Sequence, residues 1–299
     1  MIYLENLFTT LYAALLSENT REKIEKTILS IALFSFFVHL ILIYLVKMDI
    51  IPNFNESELL QNPISSIYTP FSFILVYEVY LLIFYLPKSF TTYITKQYEI
   101  ITLIIIRKLF NDLSALELTS NWFEIKGDLQ FTYDLIASLL LFYLIFLFER
   151  QGKKKLNNKL EDKPIIERFI KSKKIIAVIL VPLFLIMAVY TFMNWSFAVS
   201  MASDEILEFN SINNLFFDQF FTILILVDVI LLLISFFYTN QFHKIIRNSG
   251  FVISTILIRL SFGVSGLTST VLIVVAVLFG LTIIVIHNKY ENESLASNV

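Results

Sequence analysis

Apolar residues in this chain run in long blocks, with little of the alternation that marks strands. Such blocks cover residues 27–46, 70–86, 129–148, 175–195, 215–238 and 267–286. Each is close to the roughly 20 residues that a helix needs to cross a 30 Å hydrocarbon core. Two further stretches, 89–115 and 240–262, are apolar but carry charges, and hydropathy alone leaves them undecided. Ahead of the first block, Leu4, Leu7, Phe8, Leu11, Tyr12, Leu15 and Leu16 recur at helical spacing, with Glu5, Asn6, Thr9 and Thr10 opposite. This pattern predicts an amphipathic helix within residues 1–26. It has none of the Lys and Arg that hold helices to anionic lipid, so its expected place is against the cytoplasmic side of a bundle or on a partner. The segment does not have the order of a signal peptide and is read as mature chain. Asn19 followed by Glu22 has capping-box spacing and is expected to open the next helix.

Loop charge orders the blocks. Residues 149–174 hold ten basic residues against four acidic, among them Lys153, Lys154, Lys155, Lys171, Lys173 and Lys174. By the positive-inside rule this segment is cytoplasmic. Residues 196–214 contain Asp204, Glu205 and Glu208 and no Lys or Arg, and the 47–69 segment has only Lys47 basic, so both are expected outside. An odd number of crossings is then needed between 87 and 128, which makes the charged stretch at 93–113 a span. The stretch from 251 to 286 would be roughly 54 Å long as one helix, too long for one untilted crossing. Gly263, Gly266 and the small residues Ser261, Ser265, Thr268 and Ser269 interrupt it, so two helical segments with a break between them are expected.

The expected fold is therefore an all-α polytopic transmembrane helix bundle of about eight spans. It comprises an amphipathic cytoplasmic helix in 1–26, spans one to four in 27–148 and a basic cytoplasmic loop at 149–174. Spans five to eight follow in 175–287, with a polar tail at 288–299. Seven spans, with the last segment re-entrant or bent, is the alternative.

Composition agrees with this layout. Of 299 residues, 57% are apolar and 16% charged, with 30 Phe, against about 45–50% apolar and about 25% charged in soluble domains. The abundance of Ile, Asn, Lys and Phe suits an AT-rich bacterial genome and a multi-pass protein of the inner membrane with its N-terminus in the cytoplasm. There is no Cys, which excludes disulfides, thiolate metal sites and a cysteine nucleophile. Three His far apart in sequence, and no HExxH, GxSxG or phosphate-binding glycine loop, argue for no catalytic residue, no metal and no cofactor. Nucleic acid is not an expected partner. The bilayer is, together with anionic lipid at the basic segment. Six Gly in 299 residues also weigh against a rocking transporter built from closely packed broken helices.

The informative chemistry is the set of ionisable residues at membrane depth, since each is costly there unless paired or hydrated. These are His39, Glu78, Lys96, Glu99, Arg107, Asp134, Asp228 and Arg259. Counted from the helix ends, Glu78 and Lys96 lie level, as do Arg107 with Asp134 and Asp228 with Arg259, and three ion pairs are expected. Such pairs serve either as structural glue or as the lining of a path for charge. His39 is a proton-titrating candidate, against the commoner role of a hydrogen-bonded packing residue.

Two local resemblances follow from these residues. The run Leu226-Val-Asp-Val-Ile-Leu-Leu-Leu, followed by a helix in which Lys244, Arg247 and Arg259 share an every-third-residue frame, resembles voltage-sensor helices. Positions 250, 253 and 256 of that frame are Gly, Ile and Ile, where such a family would carry Arg or Lys. The stretch from Tyr68-Thr-Pro-Phe-Ser-Phe-Ile-Leu to Lys96-Gln-Tyr-Glu-Ile-Ile-Thr-Leu-Ile-Ile-Ile-Arg resembles an uncharacterised family of bacterial multi-spanning proteins, which implies no activity. The function read from the residues is an ion- or proton-conducting or voltage-responsive bundle. The alternative is a non-conducting scaffold or sensor that recruits a cytoplasmic protein partner through its basic loop and N-terminal helix.

Overall fold

The computed structural model describes residues 2–50, 60, 63–114, 126–153, 163–201, 209–238, 241–264 and 266–296. Over these residues the regular structure is helical. α1 spans Ile2–Leu15, α2 Glu18–Lys47, α3 Tyr68–Tyr85 after a 3₁₀ turn at Pro63–Ile67, α4 Phe90–Ser114 and α5 Lys126–Gly152. α6 spans Lys163–Met201, α7 Phe209–Tyr238, α8 Phe242–Ser261 and α9 Leu267–Ala296. Six stretches are long and apolar enough to cross a membrane: Leu7–Lys47, Pro63–Tyr85, Asp128–Gly152, Glu167–Tyr190, Gln219–Tyr238 and Leu267–Glu293. These helices carry Phe34, Phe37, Leu139, Phe142, Leu185, Ile186 and Phe237 with more than half of each side chain's surface open. In water such a surface would aggregate; beside acyl chains it is what a spanning helix presents. The chain is thus an all-α, multi-pass membrane protein. α4 and α8, which form the two stretches that hydropathy left undecided, are not among the six.

Several boundaries differ from the sequence expectation. The first helix ends at Leu15, and the cap of α2 is Ser17, whose hydroxyl accepts from the Thr20 backbone N–H at 3.2 Å. Asn19 therefore lies inside α2, because a serine two residues earlier already satisfies an orphan N–H. Ser89 caps α4 in the same way, accepting from Thr92 N–H at 3.1 Å. α5 continues to Gly152 and α6 begins at Lys163, so Arg168, Lys171, Lys173 and Lys174 lie on helix and not in a loop. Lys154 and Lys155, the sequon at Asn55, and Asp204, Glu205 and Glu208 lie outside the described residues. α6 runs through Pro182 without ending. The break in the last apolar stretch is real: α8 and α9 are joined by a turn in which Gly266 takes a φ of +72°, a conformation that a Cβ would disfavour.

The chain divides into two compact units. The first holds Met1–Phe84, Ile106–Phe131 and Val178–Phe217. Its buried side chains include Ile43, Val46, Leu75, Leu82, Ile83 and Phe84. Polar contacts lock its helices: Tyr77 donates to Glu25 at 2.7 Å and Tyr80 to the Leu15 carbonyl at 2.9 Å. The Arg21 guanidinium lies 5.4 Å from the Phe84 ring centre. The expected apolar stripe of α1 is only partly covered, since Leu16 is buried while Leu7 and Leu11 are exposed.

The second unit holds Tyr85–Ile105, Thr132–Ala177 and Asp218–Val299. Its core is aromatic at Tyr98, Phe148 and Phe251, with ring centres 5.0 and 5.5 Å apart in sequence along the row. α8 and α9 pack against each other. Gly280 makes room here, since a Cβ on it would meet the Tyr98 hydroxyl at 1.9 Å. The pattern of α8 is inverted relative to a soluble helix. Ile246, Ile253 and Leu260, seven residues apart, face out, while Asn248, Ser254, Thr255 and Ser261 are buried. α4 buries Thr95, Gln97 and Thr102 among its apolar and aromatic residues. These two helices bring polar side chains into the interior of the second unit.

Candidate functional site

Asp228 lies on α7, about 15 Å from the Tyr238 end at the helical rise of 1.5 Å per residue, and is 2% exposed. Its Oδ2 accepts from Gln97 Nε2 at 3.2 Å. The Thr255 hydroxyl also lies 3.4 Å from Oδ2, but it is 2.8 Å from the Val252 carbonyl. A hydroxyl has one proton, and the shorter contact claims it, so Gln97 is the firm donor. No ion pair reaches Asp228 from a described residue. Its Oδ1 is buried, and the Tyr93 hydroxyl, also buried, lies beside the same carboxyl group and interacts with it. Tyr93 and Gln97 are four residues apart on α4, hence on one face.

A cation stands nearby without touching the acid. Lys173 of α6 is 1% exposed and within electrostatic reach of Asp228. Its ammonium donates to the Lys88 carbonyl at 2.7 Å, in the turn after α3. It also lies 4.6 Å from the Phe90 ring centre and 5.3 Å from that of Phe169, two rings stacked 6.0 Å apart. Cation–π attraction and a carbonyl acceptor together hold the charge in place. This corrects the expectation that Lys173 faces lipid or a partner. Phe169, Lys173 and Ala177 fall on one inward face at helical spacing, whereas Lys171 and Lys174 are exposed. Lys153 is exposed too and pairs with Glu149 at 2.6 Å.

A second network runs through the same unit. Ser254 gives its proton to the Ala276 carbonyl at 2.6 Å, so Tyr98, 2.7 Å away, is the donor to Ser254. At the far end of α8, Arg247 reaches His287 at 3.0 Å and Asn248 Oδ1 at 3.2 and 3.1 Å.

The three level ion pairs are not made as expected. Glu78, 3% exposed, is bound by Arg107 at 2.6 Å, and the guanidinium lies 5.8 Å from the Phe71 ring centre. Lys96 pairs with Glu99 three residues along its own helix at 2.6 Å, both partly exposed. Asp134, buried, accepts from Thr270. Arg259 lies 3.5 Å from the Thr222 hydroxyl and does not pair with Asp228. The facing sides of helices decide partners, and a count of residues from the helix ends says nothing of those. His39 contacts the Thr69 hydroxyl through Nδ1.

Tyr93, Gln97, Thr255 and the Lys88 carbonyl were missed by sequence reasoning. The available signal was the pair Tyr93 and Gln97, polar groups four residues apart in a largely apolar helix. Among the described residues, no three His, Asp or Glu are grouped to hold a metal ion. Comparison of the chain with known protein families, with characterised proteins and with solved structures finds no match. The resemblances to voltage-sensor helices and to a bacterial multi-spanning family therefore gain no support from them.

Proposed function

We propose that the protein is a proton-conducting helix bundle in which Asp228 takes up and releases the proton inside the second unit. One observation carries this reading: Asp228 is buried, no ion pair reaches it from a described residue, and the groups around its carboxyl are the neutral side chains of Gln97, Tyr93 and Thr255. A carboxyl group kept only as glue would be expected to have a tight cation partner, because an unpaired buried charge is costly. Tyr93 and Thr255 add hydroxyls that can pass a proton on, and intramembrane acids in polar surroundings are characteristic of proton relays.

With this function goes a topology of eight spans, in which α4 and α8 cross the membrane as the carriers of its polar lining. The N-terminus, and Lys153, Lys171 and Lys174, lie on the cytoplasmic side, where the lysines meet anionic lipid at about 1 kcal/mol each. A chain without Cys is suited to single-cysteine labelling, and reaction of Asn157→Cys only from outside would overturn the orientation. The scaffold reading keeps one supporting observation, the exposed Leu7 and Leu11 of α1.

The function is tested in liposomes that hold the purified protein and a pH-sensitive dye, under an imposed membrane potential. Native protein is expected to admit protons, and Asp228→Asn to slow uptake by about tenfold or more, the scale on which a positioned acid–base group acts. Equal rates at equal incorporation contradict the proposal.

A further inference from the structure

We infer that the caged ammonium of Lys173 makes Asp228 selective for protons by denying the site to metal cations such as Na⁺. The inference rests on the reading of Asp228 as an exchange group and adds the residue that sets its specificity.

The surroundings of Asp228 are otherwise suited to a hard cation. The Asp228 carboxyl group, the Tyr93 hydroxyl and the Thr255 hydroxyl are oxygen ligands, the type that such ions prefer. A carboxylate at membrane depth also calls for a compensating positive charge. Lys173 supplies that charge from within the protein, and three contacts keep it from leaving: the Lys88 carbonyl, Phe90 and Phe169. Because the ammonium does not bond directly to Asp228, the carboxyl oxygens stay open to a proton. A metal ion arriving there would bring a second full positive charge within electrostatic reach of a fixed one in a medium that screens poorly. A proton instead forms an O–H bond with Oδ1 or Oδ2, needs no shell of ligands, and leaves a neutral acid beside the ammonium. Substitution of Lys173 by an uncharged residue removes the internal cation and leaves the oxygen ligands in place, so a metal ion is then expected to enter.

Thermal unfolding of the detergent-purified protein, in NaCl against choline chloride at equal ionic strength, tests this with Na⁺ as the probe. Native protein is expected to melt at the same temperature in both salts. Lys173→Met and Lys173→Gln are each expected to melt higher in NaCl by about 3 °C or more at saturation, as a ligand bound only by the folded state requires. The gain should vanish when Asp228→Asn is added, and Lys173→Arg, which keeps the charge, should behave as native. Folded Met and Gln variants that show no Na⁺ effect overturn the inference. So does a native protein stabilised by Na⁺ in a manner lost in Asp228→Asn, a result that needs no Lys173 variant to fold. The readout is cation binding, so a native protein that admits no protons ends the proton-path reading without altering this outcome.

Discussion

Glu78 and Asp228 are both acids on helices long and apolar enough to cross a membrane and are nearly equally buried, yet they are kept by opposite means. Glu78, in the first unit, is closed by a 2.6 Å contact with Arg107, itself set against Phe71. Asp228, in the second unit, is held by the Gln97 amide and flanked by hydroxyls, with its cation in a separate aromatic cage. The first arrangement satisfies the carboxylate and fixes a helix pair. The second leaves the carboxyl group able to change its protonation without breaking an ion pair. Burial alone therefore does not identify a functional acid; the kind of partner does.

The comparison makes its largest claim at Glu78. Glu78→Gln or Arg107→Gln alone strands a buried charge and is expected to destabilise by about 3–5 kcal/mol, whereas the double substitution should cost much less. A double-mutant cycle on thermal melts in detergent reads that coupling, and additive losses would remove the distinction between the two acids. Next in size is Gly280→Ala. The added Cβ would displace the Tyr98 hydroxyl, and overpacking of this kind costs about 1–3 kcal/mol. Tyr98→Phe combined with it should relieve most of that loss. If it does not, the α4 face that bears Gln97 is not positioned through Tyr98.

Asp228→Asn keeps the shape and breaks no direct ion pair, and Lys173 keeps its carbonyl and ring contacts, so its melt is expected to fall by less than that of Glu78→Gln, while proton uptake falls. A loss as large as that of Glu78→Gln would make Asp228 structural as well. The smallest effect is expected at His39. Thr69→Ala removes its side-chain partner, and polar contacts between membrane helices average about 0.6 kcal/mol. A change in proton uptake in that variant would move His39 from packing into the path.

Much of the helical layout was legible because lipid imposes one rule on all spanning segments: a long apolar run. The break between α8 and α9 was legible from Gly263, Gly266 and their small neighbours for the same reason of length. The helices that hydropathy left undecided, α4 and α8, are the ones that carry Tyr93, Gln97, Tyr98, Ser254 and Thr255. A polar face turned inward lowers a helix's hydropathy, so the site itself blurred the signal used to find its helices. Asp228 stood out in the sequence as a charge in an apolar block. Its partners did not, because a helix's rotation is set by packing that no spacing in a single chain reveals. The same gap explains Lys173, which a run of basic residues disguised as one more surface lysine.

The central claim is that Asp228 exchanges a proton and Glu78 does not. Infrared difference spectra of the native protein between acidic and alkaline buffer, recorded in the carboxylic C=O stretching region, test it most directly. A pH-dependent band that disappears in Asp228→Asn and persists in the Glu78→Gln, Arg107→Gln double variant is the predicted result. A band that survives Asp228→Asn, or that vanishes with Glu78, would contradict the account.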